Sequence, residues 1–532
     1  MLTTRNSRTG HDRGELGAMD ESEQMTAPPG TQARKIPEHT FDSVESDFRI
    51  DLERIRFSPY FSRLSAVTQV IPQAGSGTVI HNRLTHSLKV TAVARSIAVS
   101  LRDGSDEQTR ATIAELGGCD HIVAQAAAAA HDLGHPPFGH LGEEVLDRIS
   151  RRRLGLADGF EGNAQTFRIL TTLDNCEATE HGLNLTSAVR AAVLKYPWTR
   201  HEWRGVDAPA PLLPRGVGMD RSIGALKFST YLANAAEMAE VEASYPNIGR
   251  HQQTVECSVM DVADDIAYSV HDLDDFYRAG VLQYTTVAAE LENWLAHQQS
   301  LASLDTATLS SSLRTPGHSL ELAWRRTYEK DQWIADVDAF REAVARVQVG
   351  LVEGLLAIPF DGGVAAERRV AAFTSYWIDR LKASIAVERN PNVRSGHVRL
   401  TQDAWHDVVV LKFVHTRFVL DRPDLTIYQR GQARVLETLV DGFHSWMNDP
   451  DDVLRAPRRL IDSVESTTQA YVELKASGIP EVEGWTSGDV LRLGRSRAVI
   501  DYIASFTDAQ AIAAAALLSG NSDRHWNDGR SL

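Results

Sequence analysis

The sequence predicts a mostly α-helical fold, and three observations predict it. Apolar residues recur at spacings of three and four through most of the chain. Runs of alternating β-branched residues are few. The segment "HIVAQAAAAAHDLG" at 121–134 is nearly all apolar, which reads as a buried helix ended by Gly134 and Pro136-Pro137.

In chain order, residues 1–40 are rich in Thr, Ser, Gly, Pro and mixed charge, a composition expected of a disordered tail. From Phe41 the pattern becomes helical. "HSLKVTAVARSIAVSLRD" carries Leu88, Val90, Val93, Ala94, Ile97 and Leu101 at helical spacing. "RGVDAPAPLLPRGVGMD" at 204–220 is a long Pro- and Gly-marked loop. Helical periodicity returns at 226–245, at 258–280, and through most of the C-terminal half. A boundary near residue 290 separates a core, 41–290, from a C-terminal helical region, 291–532. No internal repeat is evident.

Bulk properties narrow the function. A chain of 532 residues can bury a sizeable core. Its formal net charge of −16 opposes a general nucleic-acid-coating role, which needs clustered Lys and Arg. It leaves open a small polyanion held in one locally basic pocket. The 3 cysteines, Cys119, Cys176 and Cys257, form no CxxC pair and fit a reducing compartment. No apolar secretory core is visible near the N-terminus, and the most apolar stretches are far shorter than a membrane span. The expected location is the cytoplasm.

Chemistry gathers where the apolar helix stops, in "AAAAAHDLGHPPFGHLGEEVL" at 126–146. A His-Asp dipeptide alone is as readily a helix terminus, with His capping carbonyls and Asp opening a turn. Three features shift the weight. "NRLTHSLKV" places His86 at the opening of a helix, just after Arg83. His131-Asp132 ends a buried helix, where an unneutralised carboxylate is costly. "VADDIAYSVHDLDD" sets a row of acids on another helix. Imidazoles and carboxylates converging from separate elements suit a divalent cation.

On the acid-rich helix, Val262, Ile266, Val270 and Leu273 form one apolar stripe. Asp264, Tyr268, His271 and Asp275 lie opposite, with Asp272 beside them. Periodicity alone reads that side as a solvated face. His140 and Glu143 follow the Pro-Pro turn at i and i+3, so they share a face if a helix starts there. A carboxylate beside an imidazole fixes its tautomer, which suits a general acid or base. The other reading is a first helical turn in which Glu143 complements the macrodipole.

Taken together, "RLTHS", "HDLGHPPFGHLGEE", "FEGNAQ", "LKYP" and "ADDIAYSVHDLDD" resemble the HD-domain metal-dependent phosphohydrolases, and more narrowly the deoxyguanosinetriphosphate triphosphohydrolase family. The motifs span roughly residues 45–290. The resemblance implies an HD-domain helical fold with additional C-terminal helices. It implies a divalent metal ion, Mg or Mn, on His86, His131, Asp132 and Asp264. His140 and Glu143 become the proton-transfer pair, with His135 directed at the phosphates or assisting.

The resemblance also carries Arg83 and Lys227 over as phosphate ligands, with Lys195 and Tyr196 of "LKYP" next. Lys195 reads equally well as an ordinary surface base. Gln69 matches a position that touches sugar or base. Tyr268 and Asp272 meet the deoxyribose, Asp272 accepting from the 3′-hydroxyl. Some relatives have a His near Asn163, and this chain does not. No P-loop or GxGxxG is present, so no glycine cradle holds the triphosphate.

The implied activity is hydrolysis of a deoxynucleoside triphosphate to deoxynucleoside and triphosphate, by a homo-oligomer open to nucleotide activation. The alternatives are another HD-domain nucleotide phosphoesterase, a non-catalytic nucleotide sensor, or a nuclease.

Overall fold

The alanine run sits where four helices meet. In the computed structural model, which describes residues 30–38, 46–70, 81–175, 182–218 and 220–521, the helix His121–Ala130 packs against Asp47–Phe57, Arg83–Asp103 and Val255–Arg278. Ala126 to Ala130 are all buried. Side chains no larger than a methyl group let neighbouring helices approach closely, and the tight packing fixes where the helix ends. The mostly helical fold holds. Among the described residues the strands are Ile385–Val387 and Val398–Leu400, a short antiparallel pair.

Start and stop signals act as their chemistry predicts. Asn82 caps Arg83–Asp103 in a reciprocal capping box with Thr85. Asp120 accepts from the amides of Ile122 and Val123 at the start of His121–Ala130. The Pro136-Pro137 turn leaves Phe138 at φ 67°, and a helix Gly139–Arg152 follows it, so His140 and Glu143 do share a first turn. Val255–Arg278 covers the expected 258–280 helix and carries the acid row.

The structure corrects one helical expectation. Only Ala235–Glu242 of the 226–245 stretch is α-helical. Residues 227–231 are drawn into pairing elsewhere: the Ser229 amide donates to the Tyr196 carbonyl, and Trp198 Nε1 donates to that of Lys227. Phe228 and Tyr231 bury themselves with Trp198 and Ala164. Tertiary burial overrides local periodicity there.

Residues 30–38, inside the expected tail, lie against the body. The amides of Ser187 and Ala188 donate to Ala33 and Thr31, and Arg34 reaches Asp51 at 2.5 Å. The rest of that tail, 1–29 with 39 and 40, is outside the described residues, as is Cys176. Lastly, one hydrophobic core runs from Phe48 to Val419 across residue 290. A second joins residues 138–160 to 436–515. The C-terminal helices are thereby part of the wall behind His140. No described helix is long and apolar enough to cross a membrane.

The loop bearing "FEGNAQ" is pressed backbone to backbone on "HDLG". The Gly134 amide donates to Thr166 Oγ1 at 2.9 Å, and a Cβ at 134 would collide with the Gly162 carbonyl and the Thr166 amide nitrogen. Gly134→Ala is therefore expected to destabilise the fold by about 1–3 kcal/mol, the usual cost of overpacking. A denaturant titration showing wild-type stability would contradict this contact.

Candidate active site

Three helices deliver the imidazole and carboxylate groups to one point. His86 comes from the first turn of Arg83–Asp103, His131 and Asp132 from the end of the alanine helix, and Asp264 from Val255–Arg278. Donor atoms of His86, His131 and Asp132 lie within 4.8 Å of one another, all three side chains buried. Asp264 Oδ1 stands 3.1 Å from His86 Nε2 and 3.6 Å from His131 Nε2. Asp265 points elsewhere, to Lys412 at 2.7 Å.

The donor set fits a divalent cation. His131 Nδ1 lies 2.7 Å from the Ala128 carbonyl, so that nitrogen carries the proton and Nε2 keeps its lone pair. That Nε2 is buried without a hydrogen-bond partner among the described residues and faces Asp132, Asp264 and His86. Two imidazole nitrogens with two carboxylates match a borderline or hard metal ion. Burial alone would raise Asp132, but His131, Arg83 and His135 hold it well below the usual carboxylate range. Asp264 is likewise held low against burial, chiefly by Lys195 and His131. Both are ready as anionic ligands.

A second group adjoins the first. His135 Nδ1 is 2.9 Å from Asp132 Oδ1, and its ring stands 4.9 Å from that of His140. His140 Nδ1 lies 2.8 Å from Glu143 Oε2. Glu143 is buried, while the His140 side chain is 62% exposed, so an anchored carboxylate orients an accessible ring. Glu143 Oε1 accepts from the Gly162 amide at 2.8 Å, and any Cβ at 162 would strike that oxygen. Only glycine allows the approach. Lys227 lies 3.3 Å from Glu143 and 2.9 Å from Glu161. Against burial, Lys227 and His135 hold Glu143 well below its ordinary range. Burial and Arg83 push His135 down to about 4, which leaves it neutral at neutral pH.

The cations meet acids first. Arg83, 1% exposed, donates to Asp132 Oδ2 at 3.0 Å, and its Nη2 and Nε have no partner among the described residues. Lys195 bridges Asp264 and Asp261, each at 2.9 Å, so it is no ordinary surface base. Tyr196 is half-buried, edge-on to Trp198 at 5.7 Å. Gln69 is buried with Oε1 unpartnered among the described residues. Asp272 is buried too, which removes the solvated-face reading of its helix side.

Sequence reasoning passed over Asp261, Glu161, Lys412 and His415. Asp261 lies one turn before Asp264 and also holds Arg215. Glu161 caps the helix Gly162–Arg168 and pairs with Lys227. Asp261 stands just before one of the motifs already singled out, and Glu161 stands within another. Lys412 and His415 come from the helix Gln402–His415, far downstream of the last motif, which ends at Asp275, and nothing local marks them.

Comparison with known proteins accords with this geometry. The HD domain family matches residues 83–184, which hold three of the four proposed metal ligands and the His140–Glu143 pair. A deoxyguanosinetriphosphate triphosphohydrolase-like protein of Streptomyces coelicolor is 29% identical over 93% of this chain and 99% of its own length. One from Bifidobacterium longum is 29% identical over 94% of this chain and 89% of its own. A deoxyguanosinetriphosphate triphosphohydrolase-like protein 2 of Mesorhizobium japonicum reaches 38% over 44% of this chain and 47% of its own. These similarities point to a hydrolase. An HD domain at residues 83–184, in a chain resembling deoxyguanosinetriphosphate triphosphohydrolase-like proteins over nearly its whole length, is the placement the motifs predict.

Proposed function

We propose that the chain is a metal-dependent hydrolase of deoxynucleoside triphosphates that releases deoxynucleoside and intact triphosphate. The observation that carries this reading is the juxtaposition of His86, His131, Asp132 and Asp264 with the His140–Glu143 pair. A divalent ion bound to the first four supplies Lewis-acid polarisation of a phosphoryl oxygen.

The side chains do the rest. Hydrolysis at the α-phosphorus forms a bond to a water oxygen and breaks the bond to the 5′-oxygen. One proton leaves the water and one arrives at the 5′-oxygen. His140 moves that proton through the ring nitrogen not turned to Glu143, with the tautomer fixed by the carboxylate. Arg83, Lys195 and Lys227 offset the polyphosphate charge while holding Asp132, Asp264 and Glu143 in place. Triphosphate as product, after incubation with each dNTP and Mg or Mn, supports the reading. Orthophosphate or pyrophosphate favours another HD-domain phosphoesterase, and no turnover favours a nucleotide sensor. The resemblance also supports a homo-oligomer, which light scattering of the purified protein tests.

Substrate choice follows from the Asp264–Tyr268–Asp272 row, whose members stand about 6 and 12 Å along the helix axis from the metal ligand. A sugar packed on the Tyr268 ring leaves no partner for a 2′-hydroxyl, and an unpaired buried hydroxyl costs about 1–3 kcal/mol. dGTP is expected to exceed GTP in kcat/KM by about tenfold to a hundredfold. Equal turnover of the two by the wild type would remove the main reason for a deoxynucleotide substrate. Tyr268→Ala serves as the control that narrows the ratio.

A further inference from the structure

One imidazole outside every motif meets both Tyr268 and Asp272 of the sugar row. His415 is the last residue of the helix Gln402–His415, where the chain widens into the π-helical turn Thr416–Leu420. Such turns re-aim side chains and often mark functional sites. The His415 ring is fully buried, stacked on Phe276 at 5.4 Å and edge-on to Tyr268 at 5.0 Å. Its Nε2 stands 3.7 Å from Asp272 Oδ2. Tyr268, Asp272 and Phe276 follow one another at intervals of four, so His415 meets one face of Val255–Arg278 in its C-terminal part.

Both partners of that 3.7 Å approach are incomplete. Among the described residues neither ring nitrogen of His415 has a hydrogen bond, and Asp272 Oδ2, also buried, has none. The separation exceeds a hydrogen bond by more than half an ångström. Buried polar atoms left unpaired are rare in proteins and call for an explanation. Burial, with His140 and Lys412 adding to it, lowers His415 to about 4, so the ring is a neutral single donor at neutral pH.

We propose that His415 is the positioning residue of the sugar end of the site: its Nε2–H holds Oδ2 of Asp272 when substrate is bound, leaving the other carboxylate oxygen to accept the 3′-hydroxyl. The inference rests on the deoxynucleotide reading above and assigns the group that makes it selective for that hydroxyl. A carboxylate anchored at one oxygen has one orientation, and its free oxygen then meets the sugar at a fixed place. A histidine that only filled space would be equalled by phenylalanine.

The test uses the full chain as wild type, His415→Phe, which keeps the ring packing without nitrogen, and His415→Gln, which restores an amide donor. His415→Leu makes the same comparison with a smaller apolar side chain if the Phe variant does not fold. kcat/KM is measured for dGTP and for 2′,3′-dideoxy-GTP, with a melting curve for each protein. The dGTP-to-dideoxy ratio is expected to fall about tenfold to a hundredfold in the apolar variants, the usual cost of leaving a buried polar group without its partner, and to recover largely in His415→Gln. An unchanged ratio, or an equal fall for both substrates, overturns the assignment while leaving the deoxynucleotide reading intact. Absence of dNTP turnover by the wild type overturns that reading, and this inference with it.

Discussion

Replacing His131 or Asp132 with alanine is expected to lower metal-dependent turnover by about 10³-fold or more, since Lewis-acid activation is worth several kcal/mol and each 1.36 kcal/mol is tenfold. The geometry makes the loss hard to repair. His131 Nε2 has no hydrogen-bond partner among the described residues and its Nδ1 is tied to the Ala128 carbonyl, so removal empties one corner of the donor set. Asp132 meets three groups at once, with Arg83 at 3.0 Å, His135 at 2.9 Å and His131 at 3.6 Å. Its loss would leave the Arg83 guanidinium buried without the carboxylate it faces. Metal content by mass spectrometry should fall together with rate. Full activity with unchanged metal in either variant would defeat the assignment. Asp264→Ala should behave as His131→Ala does, whereas Asp265→Ala, which removes a partner of Lys412, should be much milder. The opposite order would show that the wrong carboxylate had been chosen.

Much of this site was legible because its residues lie in short motifs at helix ends. His86 follows the capped start of one helix, His131-Asp132 ends another, and His140 with Glu143 opens a third. Each position is dictated by local signals, an asparagine cap, an alanine run stopped by Gly and Pro, and a Pro-Pro turn. The family resemblance chose Asp264 over Asp265, and a 100° step that divides their faces on a long helix is compatible with that choice. Periodicity could not say whether that face met solvent or a cleft. That depended on the Gln402–His415 helix, which packs on it from far along the chain.

What stayed hidden was long-range pairing. Residues 227–231 carry a helical pattern yet bond to residues 196–198 and bury Phe228 and Tyr231. His415 stands in "LKFVHTRFVL", where a lone histidine among apolar residues signals only a core position. Its relation to Asp272 arises when two helices 143 positions apart in register at that pair come together, as the 3.7 Å approach records. The continuity of the core across residue 290 is hidden for the same reason, since a local composition change carries no information about which faces meet.

Loss of the His140 imidazole is expected to cost about 10²–10⁴-fold in kcat, the range for a positioned general acid or base, with the metal still bound. His140 is not among the groups that face His86 and His131, so the donor set survives its removal. Its own setting favours proton transfer. Glu143 holds Nδ1 at 2.8 Å, and Glu143 is itself fixed by the Gly162 amide and by Lys227. Two anchors on that carboxylate leave the exposed ring a narrow range of orientations. Glu143→Gln keeps the size and one hydrogen-bonding oxygen but removes the charge that stabilises an imidazolium. It should lower kcat as well, by less than His140→Ala if the amide still orients the ring. Rapid-quench single turnovers separate this effect from product release, and metal analysis of the same samples separates it from ligand loss. If both variants lose metal and the rate falls only in proportion, then the pair is a structural support for Asp132 through His135, and the proton must travel by another group.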